Sequence, residues 1–389
     1  MENQIRNEPS GPNPIYLDYN GTTPVAPEVV DAMQPFFAPE FGNPSSSHAY
    51  GQAPREALTR ARQQVAGLLG CEPEDVLFTS GGTESNNHAL KGIVMTAHRG
   101  GHVITSAVEH PAILEVCRFM GRFGIDTTYL PVDRTGMVDP QAVKNAIRSD
   151  TVLISIMHAN NEVGTLEPIE AIAAIAREHG IPLHTDAAQS VGKMATRVDD
   201  LGVDLLSIAG HKLYAPKGVG ALYVRPGLRL ENFCHGAGQE KGRRGGTENV
   251  ALSVGLGMAC AMAARNLDEA SARMRAMRER LHKGLAAGLD DLELNGHRVD
   301  RLPNTLSLSF PGLAADRLLN AIHDDIAASA GAACHADSVT ISHVLSAMQV
   351  PAERAKGTVR FSVGKFTTKE EIDQAAAVIV AAVKRLRAA

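Results

Sequence analysis

Residues 151–186 read TVLISIMHANNEVGTLEPIEAIAAIAREHGIPLHTD, and this stretch decides the fold. Two short apolar runs, at 151–158 and 181–186, flank residues 168–180, whose apolar side chains recur at helical spacing. A strand, a helix and a second strand in this order form a β-α-β unit, in which the two strands lie parallel. Parallel sheets are covered by helices on both faces, so the stretch predicts an α/β protein.

The same alternation continues on both sides of this unit, from about residue 75 to about residue 225. Further predicted strands are DVLFTS (75–80), HVITS (102–106), DLLSIAG (204–210) and GVGALYV (218–224), with predicted helices over 83–99 and 111–124. Ligands of such sheets bind beyond the carboxyl ends of the strands. We therefore expect the polar residues that follow these strands to form a site.

The β-α alternation ends before residue 250, and the pattern that follows about residue 290 predicts a second, smaller α+β domain. A long helical pattern runs to about residue 290. The predicted elements after it are strands at 304–310, 325–329 and 358–363 and helices near 315–323, 338–347 and 368–387. We expect the N-terminal segment to pack on this second domain. The large domain is thus predicted to span 16–262 and the small one 1–15 and 263–389.

Composition and charge exclude several classes of function. The net charge is -5 without a basic run, which argues against a nucleic-acid partner. The first residues lack the basic and apolar regions of a secretory signal, and no apolar stretch reaches the roughly 18 residues of a membrane helix. The five cysteines are odd in number and none forms a CxxC pair. They predict reduced thiols in a cytoplasmic protein, with neither disulfides nor a metal site.

Two strand-end motifs suit a phosphate and a reactive amine. In TSGGTES (79–85), Gly82 and Thr83 lie where a predicted strand meets a helix start, and free backbone N–H groups there suit a phosphate. In SIAGHKLYAPKGVG (207–220), Lys212 directly follows a strand and could form a Schiff base in a cleft. Each motif alone is weak, because glycine turns are common and most lysines lie at the surface.

Two further motifs suit a flat, charged ring. Asp186 closes a strand in HTDAAQSVG (184–192), and a buried carboxylate there needs a cation, such as the protonated pyridine of pyridoxal phosphate (PLP). Gln189 could then bond the ring hydroxyl. His110 in SAVEHPAI (106–113) could stack on the ring and move protons. The alternatives are a helix N-cap for Asp186 and an ordinary loop histidine for His110.

The combination is far more specific than its parts, and the sequence resembles the class V aminotransferase group of fold-type I PLP enzymes. Within that group it is similar to the cysteine desulfurases and selenocysteine lyases. The resemblance runs from IYLDYNGTTPVAPEV (15–29) to VRFSVGKFTTKEEID (359–373) and includes FGNPSSSH, FTSGGTESNN, IMHANNEVGT, HTDAAQSVGK and GHKLYAPKGVGALYVR. The motifs GTEN, RLPNT and GAACHAD are closer to the selenocysteine lyase branch.

The resemblance implies a fold and a role for each matching residue. The fold would be a mostly parallel seven-stranded sheet with a smaller C-terminal domain. Lys212 would hold PLP and shuttle a proton, and Cys334, in a loop of the second domain, would be the nucleophile that takes sulfur or selenium. The other implied cofactor contacts come from Gly82, Thr83, His110, Asn161, Asp186, Gln189 and His211. Asn161 and Arg360 would also bind the substrate carboxylate, and Thr247 would reach the phosphate of a partner subunit, which implies a homodimer.

The implied reaction converts L-cysteine or L-selenocysteine to L-alanine, with sulfur passed to Cys334 as a persulfide or selenium released. An acceptor protein would then receive the sulfur or selenium. One departure from the family is Ala209, which replaces a serine or threonine that contacts the phosphate. The alternatives are another PLP-dependent C–S lyase or aminotransferase of the same fold, and a non-catalytic scaffold that binds a sulfur-transfer partner. The role of His335, next to Cys334, stays open.

Overall fold

The computed structural model describes residues 13–96, 101–330, 332–335 and 338–388, and the side chains of these residues except those between 332 and 340. Its strands are β1 (Ile15–Tyr16), β2 (Val76–Thr79), β3 (Gly101–Ser106), β4 (Ile125–Leu130), β5 (Thr151–Ser155), β6 (Leu183–Asp186), β7 (Leu205–Ala209), β8 (Gly220–Val224), β9 (Glu293–Asn295), β10 (Thr305–Ser309), β11 (Ile326–Ala327), β12 (Ser329–Ala330), β13 (Ala332–His335), β14 (Ser338–Ile341) and β15 (Thr358–Ser362). Its helices are α1 (Pro27–Met33), α2 (Ala49–Leu69), α3 (Gly82–Thr96), α4 (Pro111–Gly121), α5 (Pro140–Ala146), α6 (Ile169–Glu178), α7 (Val198–Leu201), α8 (Val250–Arg265), α9 (Leu267–Gly288), α10 (Ala315–Ile322), α11 (His343–Ala347), α12 (Ala352–Lys356) and α13 (Lys369–Ala388).

The main sheet has seven strands in the order β2-β8-β7-β6-β5-β3-β4. The strands from β7 to β4 are mutually parallel, whereas β8 is antiparallel to both of its neighbours. The loop between β7 and β8 is short and contains no crossover helix. Because parallel neighbours need a longer connection, β8 runs antiparallel to β7. The prediction of a mostly parallel seven-stranded α/β sheet is confirmed.

Helices cover both faces of this sheet because its strands are apolar on both sides. In β7, Leu205 belongs to an apolar cluster that includes α3 and α4, while Leu206 belongs to the cluster that includes α2, α6 and α8. Successive strand residues point to opposite faces, so adjacent leucines reach the two clusters separately. The helices therefore leave the strand ends as the accessible edge of the sheet.

A second sheet lies in the C-terminal part, with the antiparallel strand order β12-β15-β10-β9. Its apolar face packs with α9 and α13 in a separate core around Leu308 and Phe361. Ile15 and Leu17 belong to this core, and β1 pairs with β11, so these N-terminal residues pack on the C-terminal part. Residues 1–12 lie outside the described residues, and the domain boundary at 262/263 stays a prediction.

Three predicted elements near the C-terminus are wrong in detail. The long helical pattern after residue 250 is two helices that meet at an 81° bend, because Asn266 between them has non-helical backbone angles. The predicted strand at 325–329 is split into β11 and β12, which pair in different sheets. The predicted helix at 338–347 is strand β14 followed by α11, since Ser342 caps the backbone N–H of Val344 and starts the helix there.

The sequence analysis also missed β4, the edge strand of the main sheet. Its sequence IDTTYL carries exposed polar residues, so it lacks the continuous apolar pattern of a central strand. Within the described part of the chain, no single helix is both long and apolar enough to cross a membrane. The helices α8 and α9 meet that criterion only as a bent pair.

Candidate active site

A cavity of about 300 Å³ lies where strands of the main sheet end at their carboxyl edge. The structure brings nine of the predicted site residues to its wall: Gly82, Thr83, His110, Asn161, Asp186, Gln189, His211, Lys212 and Arg360. Eight of them follow or close strands of the main sheet, and Arg360 comes from β15 of the second sheet. The cavity therefore lies between the two sheets, as the β-α alternation predicts for a ligand site.

Lys212 ends a short 3-10 turn that directly follows β7. Its Nζ donates hydrogen bonds to the backbone oxygens of Asn20 and Gly21, at 2.5 and 2.7 Å. Burial, followed by the positive charge of Arg360, lowers the pKa of this amine from 10.5 to about 8. A larger fraction of the amine is therefore neutral, and nucleophilic, near neutral pH than at the ordinary pKa of a lysine.

The N-terminus of α3 forms another part of the cavity wall. Gly81 accepts the first helical hydrogen bond from Ser85, so the helix begins at Gly82 with its backbone N–H groups directed towards its N-terminal end. A Cβ atom at Gly82 would lie 3.1 Å from the Cβ atom of Ala209, so glycine allows the helix to approach β7. A helix N-terminus of this length suits an anion such as a phosphate.

His211 faces the same region from the turn after β7. Its Nδ1 is hydrogen-bonded to Thr22 Oγ1 at 3.1 Å. Burial, followed by the neighbouring charge of Lys212, lowers the pKa of His211 to about 4. The imidazole is therefore neutral at physiological pH and can act as a hydrogen-bond donor or acceptor without adding a charge.

Asp186 is the last residue of β6 and is 6% exposed. One carboxylate oxygen accepts a hydrogen bond from Asn86 Nδ2 at 2.7 Å, and the other accepts from the backbone N–H of Ala188 at 3.0 Å. Within the described residues the carboxylate has no cationic side chain in an ion pair, although burial makes an unpaired charge costly. A cationic ligand group in the cavity would supply the missing partner.

His110 is the N-cap of α4, in agreement with its position before Pro111. Its Nδ1 accepts a hydrogen bond from the backbone N–H of Ala112 at 3.1 Å, so the neutral ring carries its proton on Nε2. Burial, the largest effect, lowers its pKa, and the nearby charge of Lys212 acts in the same direction. The neutral ring lines the cavity and can pack against a planar ligand.

Arg360 closes the cavity from the opposite side. Its guanidinium donates to Asp18 Oδ1 at 2.7 Å and to the backbone oxygen of Asn161 at 2.9 Å. Its Nε is buried and has no hydrogen-bond partner among the described residues. An orphaned donor beside a cavity is a ready position for an anionic ligand group, because an unmade hydrogen bond there costs free energy.

Sequence reasoning missed Asn20, which connects most of this site. The residue is 2% exposed, and its backbone oxygen accepts from both Lys212 Nζ and Gln189 Nε2. Its side-chain amide donates to the backbone oxygen of Asn161 and to Thr305 Oγ1. Asn20 was quoted only within a family signature, and its partners are far away in sequence, so no local pattern signals its role.

Glu109 belongs to the polar residues that follow a predicted strand, beside His110, but sequence reasoning gave it no role in the site. Its Oε1 accepts hydrogen bonds from Ser106 Oγ and from the backbone N–H of Met157, at 2.8 and 2.9 Å. Burial raises the pKa of this carboxyl to about 8. These contacts tie the turn that carries His110 to the end of β5, so Glu109 fixes the position of the histidine. The Ser106–Glu109 spacing was the only sequence signal available for this contact.

Cys334 lies in β13, within a two-stranded hairpin where it pairs with Val339 of β14, instead of in an irregular loop. Its side chain lies outside the described residues. At the base of the hairpin, Ser342 donates to a carboxylate oxygen of Glu162, and His343 Nε2 donates to the backbone oxygen of Glu109. These contacts hold the base of the hairpin beside the cavity wall.

Thr247 is not part of this cavity. It lies at a separate surface depression of about 250 Å³ with Phe37, Phe41 and Asn43, and the two cavities share no lining residue. The chain therefore does not bring Thr247 to its own Lys212. A contribution of Thr247 to the site of a second copy stays a prediction.

The residues around the cavity fit the predicted cofactor. The unpaired carboxylate of Asp186 suits a pyridinium nitrogen, the N-terminus of α3 suits a phosphate, and the Lys212 amine is poised for a carbonyl carbon. Ala209, also on the wall, has no hydroxyl for the phosphate. The donor set thus matches PLP with one phosphate contact fewer than the family pattern.

Comparison with known proteins agrees with this geometry. Residues 15–375 match the family model for aminotransferase class-V. The chain is 47% identical to the cysteine desulfurase IscS of Dictyoglomus turgidum over 96% of this chain and 95% of the relative. Among solved structures, a NifS-like protein superposes with a TM-score of 0.89 at 35% identity, covering 97% of this chain and 100% of the other.

A second solved structure, described as SspA in complex with cysteine, is 39% identical with a TM-score of 0.80. It covers 91% of this chain and 99% of that chain. The likeness of GAACHAD to the selenocysteine lyase branch stays a prediction.

Proposed function

This chain belongs to the class-V aminotransferase family and, within it, to the cysteine desulfurases, and from this premise we propose how it works. It uses PLP to convert L-cysteine or L-selenocysteine to L-alanine, and Cys334 accepts the sulfur as a persulfide. The observation that carries the proposal is the Lys212 amine, whose pKa burial lowers to about 8, in one cavity with the Asp186 carboxylate and the Arg360 guanidinium.

Eight side chains or backbone groups would hold the cofactor. Asp186 would pair with the pyridinium, Gln189 would donate to the ring oxygen, and His110 would stack on the ring. The phosphate would lie against Gly82, Thr83 and His211, and Asn161 would contact the cofactor from the end of β5. When bound, PLP would supply an electron-withdrawing ring that disperses the negative charge forming at the substrate Cα.

Arg360 and Asn161 would bind the substrate carboxylate. The guanidinium presents a planar fork of donors, and its Nε, which has no acceptor among the described residues, offers the additional hydrogen bond. Arg360 is 12% exposed at its side chain, so the charge pair with a carboxylate would be shielded from water. This contact orients the substrate Cα towards the Lys212 amine.

Lys212 would move the proton. Because its pKa is lowered to about 8, the neutral amine is available to take the proton from the substrate Cα and return it later in the reaction. The backbone oxygens of Asn20 and Gly21 accept from this amine and keep it at the edge of the cavity. His110, with its proton on Nε2, is the second group on the wall that can hold a proton.

Cys334 would take the sulfur atom. Its thiolate would form a bond to the substrate sulfur while the carbon–sulfur bond of the substrate breaks, with the electron pair of that bond staying on the three-carbon remainder. Protonation of this remainder at Cβ and Cα would give alanine. Only the thiolate is nucleophilic, so a neighbouring base such as His110 or His335 would assist deprotonation. The persulfide would then pass its outer sulfur to an acceptor protein.

The working unit would be a homodimer in a reducing compartment such as the cytoplasm. Phe37, Phe41 and Tyr50 are 66%, 68% and 63% exposed, and the first two line the depression that holds Thr247. A cluster of exposed aromatic side chains supports an interface, which would carry Thr247 to the other copy. The described cysteine side chains are all free thiols, which supports the compartment.

The test is to incubate the purified protein with PLP and each amino acid and to measure alanine. We expect alanine from cysteine, loss of that activity in Cys334→Ala, and loss of both activity and covalently held PLP in Lys212→Ala. The matched control is Cys71→Ala, a half-buried thiol outside the cavity, which we expect to leave the rate unchanged.

Each contrary outcome identifies a different alternative. Pyruvate or another keto acid, formed without Cys334, would favour a different C–S lyase or an aminotransferase. Absence of the visible absorbance of lysine-bound PLP in protein supplied with PLP would favour a non-catalytic scaffold. Selenium release that does not need Cys334, beside sulfur release that does, would place the enzyme nearer the selenocysteine lyases.

A further inference from the structure

Lys193 is a buried amine beside the cavity to which the proposed reaction gives no role. It is 4% exposed and follows β6 through two tight turns. Gly192 makes the second turn possible, because its φ is +77° and a Cβ atom there would lie 3.1 Å from the Cβ atom of Leu213. The chain is thereby folded back so that Lys193 lies against Gln189.

The amine has two hydrogen-bond acceptors. Lys193 Nζ donates to Gln189 Oε1 at 2.8 Å and more weakly to Asn20 Oδ1 at 3.4 Å. Gln189 itself is 5% exposed and lines the cavity. The lysine thus lies behind the glutamine, on the side of its amide oxygen.

These contacts determine which way the Gln189 amide is turned. Its Nε2 donates to the backbone oxygen of Asn20 at 3.1 Å, and a carbonyl oxygen can only accept. Turning the amide over would place Gln189 Oε1 against that oxygen and its NH₂ group against the Lys193 amine. The partners on both sides therefore select one orientation, in which one N–H of Nε2 is used by Asn20 and the second remains available.

We propose that Lys193 is a positioning residue for the cofactor: it holds Gln189 Oε1 on the protein side, so that the remaining N–H of Gln189 donates to the ring oxygen of PLP. This inference rests on the proposed function, because it assigns a purpose to Gln189 only if PLP occupies the cavity. It adds Lys193 as a residue that acts through another and does not touch the cofactor.

The hydrogen bond from Lys193 to Gln189 Oε1 can form in both charge states of the lysine, although only the ammonium, which has no lone pair, excludes the turned amide. Burial lowers the pKa of Lys193 well below 10.5, and the positive charges of Lys212 and Arg360 lower it further. The ammonium carries three hydrogens and the neutral amine carries two, so both forms can donate to Gln189 Oε1. The contact therefore persists over the pH range in which the enzyme works.

A purely structural role for Lys193 makes a different prediction. A buried amine is costly, and a methionine of similar length would fill the same apolar volume without that cost. If Lys193 only filled space, Lys193→Met would leave the affinity for PLP unchanged. If it positions Gln189, the variant would fold normally and still bind PLP more weakly.

The experiment titrates apoprotein with PLP in wild type, Lys193→Met, Gln189→Ala and the double variant. We expect Lys193→Met to weaken PLP binding roughly three- to tenfold, the effect of one neutral hydrogen bond. Because Lys193 acts through Gln189, the double variant should bind no more weakly than Gln189→Ala alone. The melting temperature of the Lys193→Met apoprotein should be unchanged or higher, while the increase in melting temperature caused by PLP should be smaller.

Two further variants serve as controls. Lys217→Met removes an exposed lysine of the same region, and we expect it to leave PLP affinity unchanged, which shows that loss of charge alone is not the cause. Lys193→Arg keeps donors at this position and should recover part of the affinity. If Lys193→Met does not fold, Lys193→Gln is taken through the same double-variant comparison.

The outcomes separate this inference from the function on which it rests. Wild-type protein that does not bind PLP would overturn both. Wild type that binds PLP, together with a Lys193→Met variant of equal affinity, would overturn only the role of Lys193. Additive losses in the double variant would also overturn it, since they would mean that Lys193 acts independently of Gln189.

Discussion

The two walls of the cavity are built in different ways. On the main-sheet wall, Lys212, Asp186 and His110 each follow or close a strand, so the strand end sets where the backbone of each residue lies. On the second-sheet wall, Arg360 projects from the middle of β15, and its partners Asp18 and Asn161 are 342 and 199 positions away in the chain. Local structure thus sets the backbone positions on the main-sheet wall, although the Lys212 amine is also held by distant Asn20, whereas the Arg360 guanidinium is held by long-range contacts alone.

The two walls would also bind different molecules. The residues that would hold the cofactor lie on the main-sheet wall, and the guanidinium that would hold the substrate lies on the second-sheet wall. Any relative displacement of the two sheets would therefore move the substrate carboxylate with respect to the cofactor. Asn20 connects both walls, since it accepts from Lys212 and donates to Thr305 of the second sheet.

The largest expected effect comes from removing the charge of the second-sheet wall. In Arg360→Gln, kcat/KM for cysteine should fall roughly 100-fold or more, because the charged hydrogen bonds to the substrate carboxylate are lost. Affinity for PLP should change little. Steady-state kinetics and PLP titration of the same preparation measure both quantities.

Arg360→Lys is the matched variant, since it keeps the charge and loses the planar fork. It should recover part of kcat/KM without restoring the wild-type value. Equal losses of PLP affinity and kcat/KM in Arg360→Gln would contradict the assignment of Arg360 to the substrate and not to the cofactor.

An intermediate effect is expected from pH. Capture of PLP by the apoprotein requires the neutral Lys212 amine, whose pKa is about 8. Below that pH the neutral fraction, and hence the initial rate of capture, should fall about tenfold for each pH unit, and above it the rate should level off. Stopped-flow absorbance after mixing apoprotein with PLP between pH 6 and about 10 measures the profile.

The pH profile also tests whether the two walls interact, because the charge of Arg360 has the largest effect on the pKa of Lys212 after burial. The profile of Arg360→Gln should therefore shift to higher pH, which would show an electrostatic effect of one wall on the other. Glu109, whose pKa is about 8, titrates in the same range. A profile that disappears in Glu109→Gln would assign the titration to that carboxyl and contradict the prediction.

The smallest expected effect is a gain on the main-sheet wall. Ala209→Ser places a hydroxyl at the end of β7, facing the N-terminus of α3, where it can donate to the cofactor phosphate. The affinity for PLP should rise roughly three- to tenfold, which corresponds to one neutral hydrogen bond. Equilibrium titration of apoprotein measures it.

The control is Ala188→Ser, which adds a hydroxyl elsewhere on the same cavity wall. It should leave PLP affinity close to the wild-type value. A loss of affinity in Ala209→Ser would mean that the phosphate does not lie at this strand end.

Local structure also explains what could be predicted from the sequence. Asp186 and Lys212 were found because each follows an apolar run, and the carboxyl ends of parallel strands meet at one edge. Asn20 and Lys193 could not be found in this way. The partners of Asn20 are set by tertiary packing, as in the 192 positions that separate it from Lys212, and no residue pattern encodes such a contact. Lys193 has a local partner in Gln189, four positions away, but its burial beside the cavity is a result of tertiary packing.

The same limit applies to the elements near Cys334. The sequence between 338 and 347 contains helix-forming and β-branched residues in turn, and the strand before Ser342 depends on pairing with β13. Likewise, the break at Asn266 interrupts a continuous apolar pattern that carries no proline or glycine at that point. Helix propensity between 338 and 347 was outweighed by the pairing of β14 with β13. At Asn266 the helical pattern was interrupted by the non-helical backbone angles of a single residue.

The position of Arg360 late in the chain has a consequence for synthesis on the ribosome. A nascent chain that has emerged up to residue 340 already contains β2 to β8 and the Lys212 amine. It lacks β15 and therefore Arg360, the residue that contacts Asp18. Domains fold as units while translation proceeds at about 5–20 residues per second, so the cofactor wall can form several seconds before the substrate wall exists. Truncated products would therefore retain the main-sheet residues proposed to hold PLP while lacking Arg360, so cofactor colour alone would not report a complete enzyme.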